Sequence, residues 1–209
     1  MNQSSRQAVQ SLRAAAPLPM TAVLDQLAER AQSGVTVVCG FPASGKSTAA
    51  RHLAVITDAV IIDKDTFAPD LEESVMTELT GNPHDRDSAA YMRVVNPHIY
   101  SAFMHQAFAV ANRVPVIVDA PFIGYIQAAA DQGISLSEYL RARAAIPVPH
   151  LRTIWISARP NQIRDRMSDR GAERDAGKLA DWPTYRANVL ESGIHDAART
   201  VVDYVVQNY

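Results

Sequence analysis

An α/β domain built on an open parallel sheet is the fold that three observations in the sequence predict. Short β-branched, apolar runs alternate with longer helical patterns along a chain of 209 residues, about the size of one domain. Two of these runs stop abruptly at an acidic residue, at Asp63 and at Asp119. A third, Val35–Cys39, runs straight into Gly40-Phe41-Pro42-Ala43-Ser44-Gly45-Lys46-Ser47-Thr48, which reads G-x-x-x-x-G-K-S. In that pattern the glycines let the backbone turn tightly, so that its N–H groups point at phosphate oxygens. Lys46 reaches the outer phosphates, the Ser47 hydroxyl suits Mg²⁺, and the helix that follows aims its positive end at the same place.

Composition narrows the setting. The chain is 47% hydrophobic and 20% charged, as expected of a globular protein. A formal net charge of −2 supplies no broad basic field for nucleic acid. Cys39 is the only cysteine, which excludes an intrachain disulfide and points to a reducing cytoplasmic location. No run is long enough for a membrane span, and the N-terminus lacks a basic-then-apolar signal pattern. The six histidines have no metal-ligand spacing with the cysteine, so Mg²⁺ held by oxygen atoms is the expected metal.

Residues 1–33 read as an N-terminal helical segment: a polar, Ala-rich start to Ala16, interruption by Pro17 and Pro19, then a helix over Thr21 to Gln32 ended by Ser33-Gly34. After the phosphate-loop helix, Asp58 to Ile62 predicts a second strand running into Asp63-Lys64-Asp65. Ligands of open parallel sheets bind beyond the carboxyl ends of the strands, so Asp65 shares an edge with the phosphate loop. There it suits the acceptance of a proton from a hydroxyl nucleophile, or the capping of the next helix. Residues 66–113 are too long for a minimal crossover and predict a substrate-binding helical insertion. Its helices fall at Leu71 to Leu79, Ser88 to Val95 and Pro97 to about Asn112, the last capped by Asn96. Asn82, His84, Asp85, Arg86 and Arg93 are its candidate substrate contacts.

Val114 to Phe122 predicts the third strand, with Asp119 placed to orient Mg²⁺, its water shell or the substrate. Helices follow over Gly124 to Gln132 and Glu138 to Ala145, the latter opened by a capping box at Ser135 and closed by Pro147 and Pro149. Leu151 to Ser157 is the fourth strand, and Thr200 to Val206 the fifth. Between them lie Arg159, Arg164, Arg166, Arg170 and Arg174, with Gly171 breaking the helix. The cluster over 159–180 reads as a lid that closes on nucleotide and brings guanidinium groups to the transferring phosphoryl.

The assembled pattern resembles small P-loop kinases of the gluconate kinase, chloramphenicol phosphotransferase, zeta toxin and polynucleotide 5′-kinase type. The resemblance is carried by Gly40 to Thr48, Ile61 to Asp65, Val116 to Phe122, and Arg166 to Gly171 with Arg174-Asp175. It implies a three-layer P-loop fold whose five-stranded parallel sheet has the order 2-3-1-4-5 and helices on both faces, Asp65 as the catalytic base, and lid arginines at Arg166, Arg170 and Arg174 that bind nucleotide. The expected activity is therefore transfer of the γ-phosphate of ATP, or of GTP in its place, to a hydroxyl of a small molecule such as a metabolite, sugar, nucleoside or antibiotic, with Mg²⁺ as cofactor. Lys46, Asp65, Arg166 and Arg170 carry the catalysis in this reading. A polynucleotide 5′-kinase, a zeta-toxin-like kinase and a regulatory NTPase are the rivals. The protein is expected to act without a membrane, as a monomer or homodimer.

Overall fold

A computed structural model describes residues 19–144, 147 and 150–209. The expected helix over the first sixteen residues, Pro17, and the positions of Ala145 and Pro149 lie outside the described residues. The chain begins with α1 (Met20–Ala31), β1 (Val35–Cys39), α2 (Lys46–Thr57) and β2 (Val60–Asp63). Next come α3 (Lys64–Phe67), α4 (Pro69–Thr80), α5 (Ala89–Val94), α6 (Asn96–Val110) and β3 (Val116–Asp119). Then α7 (Ile123–Asp131), α8 (Leu136–Arg143) and β4 (Leu151–Ser157) lead to α9 (Pro160–Arg170), α10 (Glu173–Ala180) and α11 (Trp182–Tyr185). A π-helical turn, Arg186–Leu190, α12 (Ile194–Val201) and β5 (Tyr204–Gln207) close the fold.

The five strands are all parallel, in the order β2-β3-β1-β4-β5. β1 is central and wholly buried, as its β-branched sequence requires. Its residues alternate between two cores. Val35, Val37 and Cys39 join Phe103, Phe108, Phe122 and Trp155 on one face. Val38 joins Leu24, Ala49, Leu53, Ile117, Ile154 and Ile156 on the other, beneath α1 and α2. Cys39 is one of the small core side chains: its thiol donates to Ile154 O at 3.3 Å, and burial pushes its pKa far above the usual thiol range. Register brings the strand ends level, since Asp119 pairs with Val38 on one side and with Asp63 on the other. Among the described residues, no helix is long and apolar enough to cross a membrane.

Several boundaries differ from expectation for local reasons. Asn96 lies inside α6, and Val95 precedes that helix without a side-chain cap. The α6 residues Ile99, Tyr100, Phe103, Met104, Ala107 and Phe108 are buried, so α6 is the crossover helix into β3, and α3 to α5 precede it. The capping box at Ser135 and Glu138 is present but opens α8 at Leu136, because Glu138 is the third helical residue. The last strand begins at Tyr204, because Thr200 and Val201 finish α12. Ile194, Ala198 and Val201 form the buried face of that helix, at spacings of four and three.

Candidate active site

The phosphate loop is shaped by backbone that few residues can follow. Gly40 has φ of 148° and Gly45 of 100°. A Cβ on Gly45 would lie 2.1 Å from Asn208 Nδ2, and one on Gly40 would lie 2.6 Å from Ile156 O. α2 starts at Lys46 with no side-chain cap, which leaves its first N–H groups free for an anion. The Ser44 hydroxyl is buried without a hydrogen-bond partner, an orphan that a phosphate oxygen would satisfy. Lys46 donates from Nζ to Phe41 O at 3.1 Å, so its ammonium folds back over the loop.

Two carboxylates, Asp119 and Asp65, face this lysine from the strand ends. Burial lowers the pKa of Lys46, and Asp119 and Asp65 oppose that effect. Burial raises the pKa of Asp119; Lys46 and the Ser47 hydroxyl offset it, while Asp63 and Asp65 add to it. Ser47 and Asp119 thus present oxygen ligands for a hard cation. No group of three His, Cys, Asp or Glu residues suited to a metal occurs among the described residues, so water and phosphate oxygens would complete such a shell. At Asp65, burial alone would raise the pKa, but Arg174, Lys64 and Lys46 outweigh it and hold the carboxyl below the usual range. Capping falls to Asp63, not Asp65: Asp63 Oδ1 accepts from Asp65 N–H at 2.9 Å. The Asp65 side chain takes no part in the cap and meets Arg174 and Lys64 instead.

The arginines of 159–180 divide into separate tasks. Arg166 donates to Ser44 O at 3.1 Å, to Ala43 O at 3.4 Å and to Asn208 O at 3.2 Å. Asn208 Nδ2 donates to the same Ser44 O at 2.7 Å, so the two side chains clamp the outside of the loop. Arg170 makes a two-pronged pair with Asp175, whose side chain is fully enclosed. Arg174 reaches across to Asp65, Nη1 to Oδ2 at 2.5 Å. Arg159 and Arg164 turn away, onto the rings of Tyr209 and Trp182. Two further pairs tie α10 to the segment before α5: Lys178 to Asp87 at 2.8 Å and Glu173 to His84 at 3.5 Å.

Of the candidate substrate contacts, His84 stands between Glu73 at 3.6 Å and Glu173. Asn82 shapes the same loop by accepting from His84 N–H at 3.0 Å. Arg86 faces inward, with Nε 3.4 Å from Glu72. Arg93 is exposed, and no ion pair joins it to these groups among the described residues. Two features escaped the sequence reading. Asn208 lies too far from the loop in sequence to be suspected. Glu72 is 2% exposed, whereas Leu71 is 59% and Leu79 is 46% exposed; the leucines of α4 thus point the wrong way to reveal its inner face. The signal available was Glu72 four residues before Met76, the other buried residue of α4.

The phosphate loop, the strand-end acids and the arginine cluster all lie within one stretch that a family model recognises. The chain belongs to the AAA domain family. The match spans residues 35–191, about three quarters of the sequence, and leaves α1, α12 and β5 outside it. No curated protein matches this AAA domain chain. Among solved structures it is similar to a shikimate kinase from Bacteroides thetaiotaomicron, with a TM-score of 0.52 and 14% identity over 83% of this chain and 86% of that one. It is also similar to a candidate fructose transport system kinase from Silicibacter sp. TM1040, with a TM-score of 0.50 and 18% identity over 90% and 98% of the two chains. At these identities the likeness establishes the fold, that of the small P-loop kinases, with the strand order expected above.

Proposed function

We propose that this AAA domain protein is an ATP- and Mg²⁺-dependent phosphotransferase that moves the γ-phosphoryl group to a hydroxyl of a small molecule. The observation that carries the reading is the convergence of Asp65, Asp119 and Lys46 at the mouth of the phosphate loop. The loop N–H groups, Ser44 and Lys46 would hold the phosphates. Ser47 and Asp119 would hold Mg²⁺, which supplies positive charge between the phosphate oxygens when bound. Asp65 accepts the hydroxyl proton as the acceptor oxygen bonds to the γ-phosphorus. The bond to the bridging oxygen breaks, and its electron pair leaves with ADP. Arg174 must leave Asp65 for this to happen, and is then free to face the transferring group. Arg166 acts on the nucleotide through the loop it clamps, and Arg170 acts through the Asp175 pair that keeps α10 in place.

The acceptor is proposed to be an uncharged hydroxyl compound, bound between Asp65 and the α3–α5 segment beside Asn82 and His84. Most cations on that side are paired within the chain, Lys64 and Arg86 with Glu72, Arg174 with Asp65, and Lys178 with Asp87, which leaves the exposed Arg93 outside these pairs. A polyanionic acceptor would have to break those pairs. A pooled-metabolite phosphorylation screen with mass detection tests the reading. A phosphorylated neutral alcohol or sugar is the expected product. Preferred labelling of an oligonucleotide 5′ end, or ATP hydrolysis unaffected by every acceptor, would replace the reading by a polynucleotide kinase or a regulatory NTPase.

A further inference from the structure

The side chain next to Asp65 in sequence has no part in the chemistry above, yet its surroundings are unusual. Lys64 is 6% exposed, a rare place for a lysine. Its ammonium lies 3.0 Å from Glu72 Oε1 and 3.1 Å from Oε2. It is also 3.7 Å from Asp65 Oδ1 and 5.5 Å from the centre of the Tyr91 ring. Glu72 is held as firmly: Tyr91 Oη donates to it at 2.8 Å, and Arg86 Nε stands 3.4 Å away. A buried carboxylate persists only when such donors replace its water. Here they come from α3, from the loop before α5 and from α5 itself. One ammonium is therefore shared between two carboxylates, one enclosed and fixed, the other half-exposed at the reacting edge.

We propose that Lys64 is a positioning residue for Asp65, and that Glu72, by holding Lys64, sets how much of its positive charge reaches the Asp65 carboxylate. The proposal rests on the reading of Asp65 as proton acceptor. Other groups also face Asp65 from the elements around it: Arg174 of α10, Lys46 of α2, Asp119 of β3, Asp63 at the end of β2, and Tyr100 of α6. Those facing Lys64 are Glu72, Tyr91 and Asp65, with Arg86 beyond Glu72. Because Lys64 stands between charges of one sign, removing it and removing Glu72 have opposite consequences. Without the ammonium, the Asp65 carboxylate loses a stabilising charge. Without the Glu72 charge, the ammonium acts on Asp65 undivided.

Carbon-13 NMR titration of the Asp65 carboxyl in the full chain tests this, with the signal assigned by its loss in Asp65→Asn. The midpoint should move up in Lys64→Met and down in Glu72→Gln, and should stay in place in Lys64→Arg, which keeps the charge. A merely structural role would loosen α3 in every variant and move the midpoint up in all of them. Shifts of the same sign in Lys64→Met and Glu72→Gln, or none in either, overturn the proposal, as does Lys64→Arg behaving like Lys64→Met. Should one charge-removing variant not fold, the other decides together with Lys64→Arg. The readout needs no turnover, so its failure is separate from a failure of Asp65 as the base, which Asp65→Asn kinetics test.

Discussion

The two halves of the site are built from different materials. The phosphate loop is held by backbone: a buried strand feeds it, Gly40 and Gly45 allow its path, and a helix end faces inward. The opposite wall, from α3 to α5 and across to α10, is held by side-chain pairs, most of them half-exposed. Backbone geometry inside a packed core survives changes of salt and pH, whereas exposed ion pairs weaken in both. The loop side is thus formed in advance, and the proposed acceptor side is held by contacts that a ligand can exchange.

Removing Lys46 attacks the rigid half where it meets the ligand and should have the largest effect. Lys46→Ala is expected to reduce phosphoryl transfer below detection while circular dichroism stays unchanged, since the fold loses only the bond to Phe41 O and the partner proposed for Lys46 is a phosphate. Retained turnover would show that the loop does not carry the nucleotide. Asp65→Asn comes next, with turnover falling by about two to four orders of magnitude and ATP affinity little changed in a binding titration. Asp63→Asn should do less, because Asp63 is occupied in holding the Asp65 N–H. Arg174, Lys64 and Lys46 lower the folded-state pKa of Asp65. Its contribution to stability is therefore present above its unfolded value, about 3.9, and is lost as pH falls through the lower folded value. The acid limb of a kcat/KM–pH profile set by Asp65, which reports the free enzyme with Arg174 still paired, should lie below the ordinary carboxylate range.

Arg170→Ala should leave the enclosed Asp175 carboxylate without its partner and cost roughly 3 kcal/mol in a denaturant melt. If stability is unchanged, the pair does not anchor α10. Arg166→Ala should weaken ATP binding by roughly tenfold, through a looser loop, as expected for losing charge-assisted bonds to two loop carbonyls. A binding titration that shows lost turnover at unchanged affinity would assign Arg166 to the transition state instead. The smallest effect belongs to Lys178→Ala, within about 1 kcal/mol in a melt and fading with added salt, because its partner Asp87 is exposed. A salt-independent loss would mean that α10 is held by packing.

This contrast also decides what could be read in advance. The phosphate loop and the strand-end acids Asp63 and Asp119 were legible, because each depends on local pattern or on a motif with one geometry; the strand order came only through the resemblance that those motifs carry. Asp65 was legible as a strand-end acid, but its partner Arg174 was not, since 109 positions separate them. Glu72 was hidden because α4 turns its leucines outward and its carboxylate inward, against the usual helix pattern. The arginine cluster was visible as a cluster; its division among the loop carbonyls, Asp175 and Asp65 depends on tertiary placement. α12 was missed although its apolar spacing is regular, because Val201 and Val202 were taken into a strand that starts at Tyr204.

Asn208 has a consequence for how the molecule is made. Its carboxamide meets Ser44 across 164 positions of sequence, and its N–H donates to Ser157 O at 2.8 Å. During synthesis the entire phosphate motif emerges from the ribosome long before this residue does. A nascent or prematurely terminated chain therefore carries the whole motif while the outer wall of the loop is missing. Tight nucleotide binding would then follow the docking of β5, and the arrival of nucleotide would favour the form in which β5 and Asn208 are in place.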